Sequence, residues 1–129
     1  MNILIVDDDS GDVFFLRELL TDAEAEPTRL VHVETLATAL QKVQEEQFDV
    51  ILLDFFLPGS QGVESLCRLR EHAPDVPIVF LTGLNDDDLG RQMLEGGAQA
   101  YLVKGQIEGT ELLRTLHDII AQHRAQRSG

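Results

Sequence analysis

The chain has 129 residues, room for one domain with a single core. Ten Lys and Arg stand against 23 Asp and Glu, a formal net charge of −13. Such a surface repels phosphate backbones and anionic lipid, so nucleic acid and membrane are excluded as expected partners, while cations and basic proteins are favoured.

The elements follow in chain order. Residues 2–6 (NILIV) predict a buried strand. This opening apolar run is too short for a signal peptide or a membrane span. Residues 11–22 predict a helix with Ser10 as its N-cap and Val13, Leu16 and Leu20 on one face. Residues 29–33 (RLVHV) predict a second, weaker strand. Thr35 is placed to cap a helix carrying Leu36, Leu40 and Val43. Residues 49–53 (DVILL) form a near-continuous apolar run, the pattern of a central parallel strand buried on both faces.

Pro58-Gly59-Ser60 marks a loop, and Val63, Leu66 and Leu69 predict a third helix whose exit is framed by Pro74 and Pro77. Cys67 falls on that helix; as the lone cysteine it allows no internal disulfide, so a reducing cytoplasm is the expected compartment. Residues 77–81 (PIVFL) predict the fourth strand. Asn85 would cap a helix with Leu89 and Met93 one turn apart, stopping at Gly96-Gly97. Residues 99–103 (QAYLV) predict the fifth strand. The last helix spans about Gly109 to about His123, with Leu112, Leu116 and Ile119 inward. Polar residues after Ala121 are expected to fray, leaving a domain over 1–125 and a tail over 126–129.

Five βα units in a row predict an α/β fold: a doubly wound, five-stranded parallel sheet in the flavodoxin-like order 2-1-3-4-5. Ligands in such sheets sit beyond the carboxyl ends of the strands. Strand 1 ends in Asp7-Asp8-Asp9, strand 3 in Asp54, strand 4 in Thr82-Gly83 and strand 5 in Lys104-Gly105. Asp9 reads as a loop residue before the first helix. Asp7, Asp8 and Asp54 gathered together repel one another and call for a cation; oxygen donors with no Cys or His nearby suit Mg²⁺ rather than Zn²⁺. A carboxylate oxygen of Asp54 can attack phosphorus and form an acyl phosphate, with Thr82 supplying a hydroxyl and Lys104 a positive charge.

The segments ILIVDDD (3–9), ILLDFFLPG (51–59), FLTG (80–83) and AYLVKG (100–105) together resemble the receiver domain of two-component response regulators, over essentially the whole chain. The resemblance implies that Asp54 is the phosphoacceptor and that Asp8 binds Mg²⁺ directly, Asp7 largely through water. It implies that Phe56 offers its backbone carbonyl to the metal and that Thr82 and Lys104 contact the phosphoryl group. Tyr101 is implied as the switch aromatic that turns inward as Thr82 moves; its structural alternative is an edge-strand tyrosine packed on the last helix. The implied donor is a histidine kinase or histidine phosphotransfer protein. The implied output is a partner protein held on helix 4, strand 5 and helix 5, a face that also allows a homodimer. In this reading the chain is no enzyme, although it assists its own phosphorylation and dephosphorylation.

One departure stands out. Receivers commonly carry Lys-Pro in a cis peptide after strand 5, and here the pair is Lys104-Gly105. A cis bond before glycine costs about 2.5–4 kcal/mol, so a trans bond is expected. The competing readings are a stand-alone receiver, a receiver fragment of a multidomain signalling protein, and an aspartyl-phosphate phosphohydrolase. The last would want an acid where Phe56 stands. A flavin-binding protein would want a Ser/Thr/Gly-rich loop where Asp7-Asp8-Asp9 stands.

Overall fold

The computed structural model describes residues 1–23, 28–57, 62–83, 87–106 and 109–128. The elements are β1 (Asn2–Val6), α1 (Ser10–Ala23), β2 (Arg29–Val33), α2 (Leu36–Glu45), β3 (Val50–Asp54), α3 (Gly62–His72), β4 (Ile78–Thr82), α4 (Asp87–Glu95), β5 (Ala100–Val103) and α5 (Gly109–Ser128). All four strand pairings are parallel, and the order is β2-β1-β3-β4-β5. This is the expected fold, with the switch point between β1 and β3.

The apolar runs explain the layering. Successive strand side chains point to opposite faces, so an unbroken run feeds both. Leu4, Val6, Ile51, Leu53, Ile78 and Phe80 pack under α2, α3 and α4. Ile3, Ile5, Val50, Leu52, Val79 and Leu81 pack under α1 and α5. β3 and β4 are buried along their whole length. Met93, expected in the core, is fully buried in the first of these clusters.

Several boundaries differ from expectation for physical reasons. Ser10 is the first residue of α1 rather than its cap. Asp9 caps instead: its Oδ1 accepts from the N–H of Gly11 at 2.8 Å and of Asp12 at 3.3 Å. A carboxylate there also meets the positive end of the helix dipole. β3 and β4 each run one residue past the apolar run, because the parallel ladder continues through Asp54, paired with Leu81, and Thr82, paired with Val103. α5 continues beyond His123 to Ser128. Its polar turns are anchored by Arg124 Nη2 on Asp49 Oδ1 at 2.6 Å and by His123 Nε2 against the Asp75 carbonyl oxygen at 2.9 Å.

Tyr101 also departs from its structural alternative. It packs with the α2–α4 cluster and not on α5. A Cβ on Gly90 of α4 would lie 2.4–2.6 Å from its ring carbons and hydroxyl, so the ring fills the notch that the glycine leaves. The expected cap Asn85 and the loop Pro58-Gly59-Ser60 lie outside the described residues. No helix among the described residues is long and apolar enough to cross a membrane.

The Thr35 cap is as expected: its hydroxyl oxygen accepts from the Thr38 N–H at 3.2 Å. Thr35→Ala is expected to lower the unfolding free energy by about 1 kcal/mol, read from the urea midpoint at unchanged slope.

Candidate functional site

The rim beyond the carboxyl ends of β1, β3, β4 and β5 gathers the polar groups. The backbone there is tied from strand to strand, so the side chains start from fixed positions. The Asp7 N–H donates to the Val33 carbonyl at 3.0 Å, the Phe55 N–H to Leu81 at 3.0 Å, and the Lys104 N–H to Thr82 at 2.7 Å. His32 of β2 adds Nε2 against the Asp7 carbonyl oxygen at 2.7 Å.

Asp7 is fully buried, Asp54 nearly so, and Asp8 is exposed. One carboxylate oxygen from each lies within 4.8 Å of the others. Asp7 Oδ1 accepts the Asp9 N–H at 2.9 Å, and Asp54 Oδ1 accepts the Phe56 N–H at 3.0 Å. Lys104 Nζ completes the cluster. It lies 2.7 Å from Asp12 Oδ2, 2.9 Å from Asp7 Oδ2 and 3.6 Å from Asp54 Oδ2. Thr82, at the end of β4, is buried beside this group in the ladder.

Burial raises the Asp54 pKa above the ordinary aspartate value. The Phe56 N–H and the Lys104 charge pull it back, and Asp7 pushes it further up. Burial works against the Lys104 charge, but hydrogen bonds to Asp12 and Asp7 and the nearby Asp54 outweigh it and hold the ammonium above the ordinary lysine range. An ionised Asp54 is therefore short of positive charge, and a small hard cation is the complement that an all-oxygen donor set would take.

The structure thus brings Asp7, Asp8, Asp54 and Lys104 together, with Thr82 beside them. Tyr101 stands apart, half-buried on the α4 side of β5. Phe56 exposes its ring and contributes to the site through its backbone. Asp12 is the site residue that sequence reasoning missed. An acid in a first helical turn ordinarily answers the helix dipole, and no spacing links it to a lysine 92 residues away.

The Lys104-Gly105 departure resolves into a tight turn. No cis peptide occurs among the described residues. Gly105 has φ +81°, and the Gln106 N–H donates to the Val103 carbonyl at 3.2 Å. Positive φ at the third residue alone is the type II pattern, which glycine adopts without steric penalty. The turn presents Lys104 to the carboxylates with no proline.

Comparison with known proteins points the same way. The family model described as response regulator receiver domain matches residues 3–118. The transcriptional activator protein IrlR of Burkholderia pseudomallei is 37% identical over 130 residues, covering 99% of this chain and 54% of the relative. The chain thus spans about half the length of that relative. The sensor histidine kinase GacS of Pseudomonas protegens is 31% identical over 107 residues, 79% of this chain and 11% of its own length. Among solved structures, a CheY-like response regulator receiver domain protein from Methanospirillum hungatei superposes with a TM-score of 0.81 at 25% identity, over 97% of each chain.

Proposed function

We propose, from the premise that this chain belongs to the response regulator receiver domain family, that it accepts a phosphoryl group on Asp54 and uses it to change what it binds. The observation that carries the reading is the convergence of three carboxylates and one lysine on a single rim, with Asp54 buried between them. The donor in this reading is a phosphohistidine on a histidine kinase or a histidine phosphotransfer protein. An Asp54 carboxylate oxygen attacks phosphorus, the P–N bond breaks, and the imidazole nitrogen leaves with the electron pair. In dephosphorylation, water oxygen attacks the same phosphorus, the P–O bond to Asp54 breaks, the carboxylate leaves with the electron pair, and the water's proton goes to the released phosphate or to solvent.

This chain's own residues position the exchange. Phe56 N–H holds Asp54 Oδ1, which leaves Oδ2 as the nucleophile. Lys104 Nζ, 3.6 Å from that oxygen, meets the charge of the arriving group. The Thr82 hydroxyl donates to a phosphoryl oxygen. Asp7, Asp8, Asp54 and the backbone carbonyl of Phe56 would hold Mg²⁺, which when bound supplies positive charge to the phosphoryl oxygens. Thr82 moving toward the phosphoryl group lets Tyr101 leave its place over Gly90 and turn inward, which remodels the α4–β5–α5 face for a partner protein or a second copy of the chain. The cytoplasm is the compartment that fits. The output stays a matter of the partner, since IrlR is named a transcriptional activator and matches over only part of its length.

Acetyl phosphate with Mg²⁺ is expected to add one phosphoryl mass to the intact protein, and EDTA to block the addition. A mass unchanged after prolonged incubation with acetyl phosphate or a phosphohistidine donor would overturn the reading.

A further inference from the structure

We propose that Asp12 is a positioning residue for Lys104: a carboxylate latch that holds the ammonium in the unphosphorylated protein and competes for it with phosphorylated Asp54. The proposal rests on Asp54 being the phosphoacceptor.

The distances rank the partners. Lys104 Nζ is nearest Asp12, next Asp7, and outside hydrogen-bond length of Asp54. Two of its three N–H groups are therefore engaged, and neither faces the oxygen that would carry the phosphoryl group. A phosphoryl group on Asp54 brings three oxygens with close to two negative charges. For Lys104 to serve them, one of its present partners must let go. Asp7 is fully buried, so leaving it without Lys104 strips a desolvated carboxylate of its ammonium. The Asp12 side chain is 36% exposed, so water can take the place of Lys104 there. Asp12 is the partner that can be released.

The two ends of the latch are firmly mounted. Asp12 sits in the first turn of α1, where its own N–H is held by the Asp9 cap. Lys104 leaves β5 through the glycine turn, with its N–H on the Thr82 carbonyl. The ion pair therefore ties the start of α1 to the β5–α5 turn. Transfer of Lys104 to the phosphoryl group unties them.

The test compares initial rates of phosphorylation by acetyl phosphate at fixed Mg²⁺. Asp12→Asn is expected to raise the rate about two- to fivefold, the factor that a partly exposed ion pair converts to. Asp12→Ser, which keeps a polar first-turn residue, is expected to match it, and Asp12→Glu to fall back toward wild type. Added KCl should speed the wild type more than Asp12→Asn, since both lose repulsion of the anionic donor and only the wild type also loses the Asp12 ion pair, a difference that a merely structural role would not produce. In ¹⁵N spectra of the unphosphorylated protein, the Lys104 ammonium signal should shift on Asp12→Asn. Wild-type labelling with Asp12→Asn and Asp12→Ser at or below the wild-type rate overturns the latch alone. Absence of labelling in every protein, wild type included, overturns the receiver reading and the latch with it.

Discussion

Replacing Asp54 with asparagine is expected to abolish phosphoryl labelling completely while the protein stays folded and melts a few degrees higher in the absence of metal. An amide oxygen forms no stable acyl phosphate, so the mass gain with acetyl phosphate and Mg²⁺ disappears. The amide oxygen can still accept the Phe56 N–H that Asp54 Oδ1 now holds at 3.0 Å. The gain in stability follows from the sign of the ionisation shift. Burial raises the Asp54 pKa, so its protonated form is the one the fold favours. That contribution is fully present below the ordinary aspartate value of about 3.9 and is lost as pH rises through the raised folded value. At neutral pH the ionised carboxylate is a liability that asparagine removes. Melts in EDTA at neutral pH should show the gap between the two proteins, and melts under acid conditions should show it closing. Labelling that persists in the variant would place the phosphoryl group elsewhere; a lower melting temperature at neutral pH would contradict the electrostatic account.

The second large effect concerns Lys104. Lys104→Met keeps most of the aliphatic stem and removes the charge that Asp7, Asp12 and Asp54 share. The side chains of Lys104, Asp7 and Asp54 are 19%, 0% and 8% exposed, so solvent screens them little. Breaking a buried pair by removing one partner typically costs about 3–5 kcal/mol. Asp54 can take up a proton and Asp12 can turn to water, so the expected loss is smaller, about 2–3 kcal/mol at neutral pH in EDTA. Urea unfolding measures it. Millimolar Mg²⁺ should restore part of the loss, because a bound cation stabilises the native state by mass action. Labelling with acetyl phosphate should fall roughly 100-fold, the scale on which one preorganised charge contributes to a transition state. A variant as stable as wild type in EDTA would show that the carboxylates do not depend on this ammonium.

The legible parts of this protein were those written as runs and spacings. Four short apolar strands and their four polar ends were enough to place Asp7, Asp54, Thr82 and Lys104 on one rim, because topology brings the ends of parallel strands together regardless of loop detail. What escaped was set by partners distant in sequence. Asp12 looked like one more acid at a helix start, and only the fold brings Lys104 to it. Asp9 and Ser10 are both good caps, and the choice between them is decided by which side chain reaches the N–H groups of Gly11 and Asp12. The polar end of α5 reads as a fraying tail until Asp49 and the Asp75 carbonyl are seen beneath it. Tyr101 needed a helix partner with no side chain, a property of Gly90 visible only once α4 lies over β5.

The sheet also acts as a wall between two separately furnished rooms. Tyr101 belongs to the room roofed by α2, α3 and α4, and the Asp12–Lys104 pair stands at the doorway of the one roofed by α1 and α5. Side chains on opposite sides of five hydrogen-bonded strands share few neighbours, so a rearrangement on one side need not be repaired on the other. An inward turn of Tyr101 would spend the packing of one room while the other keeps the chain folded.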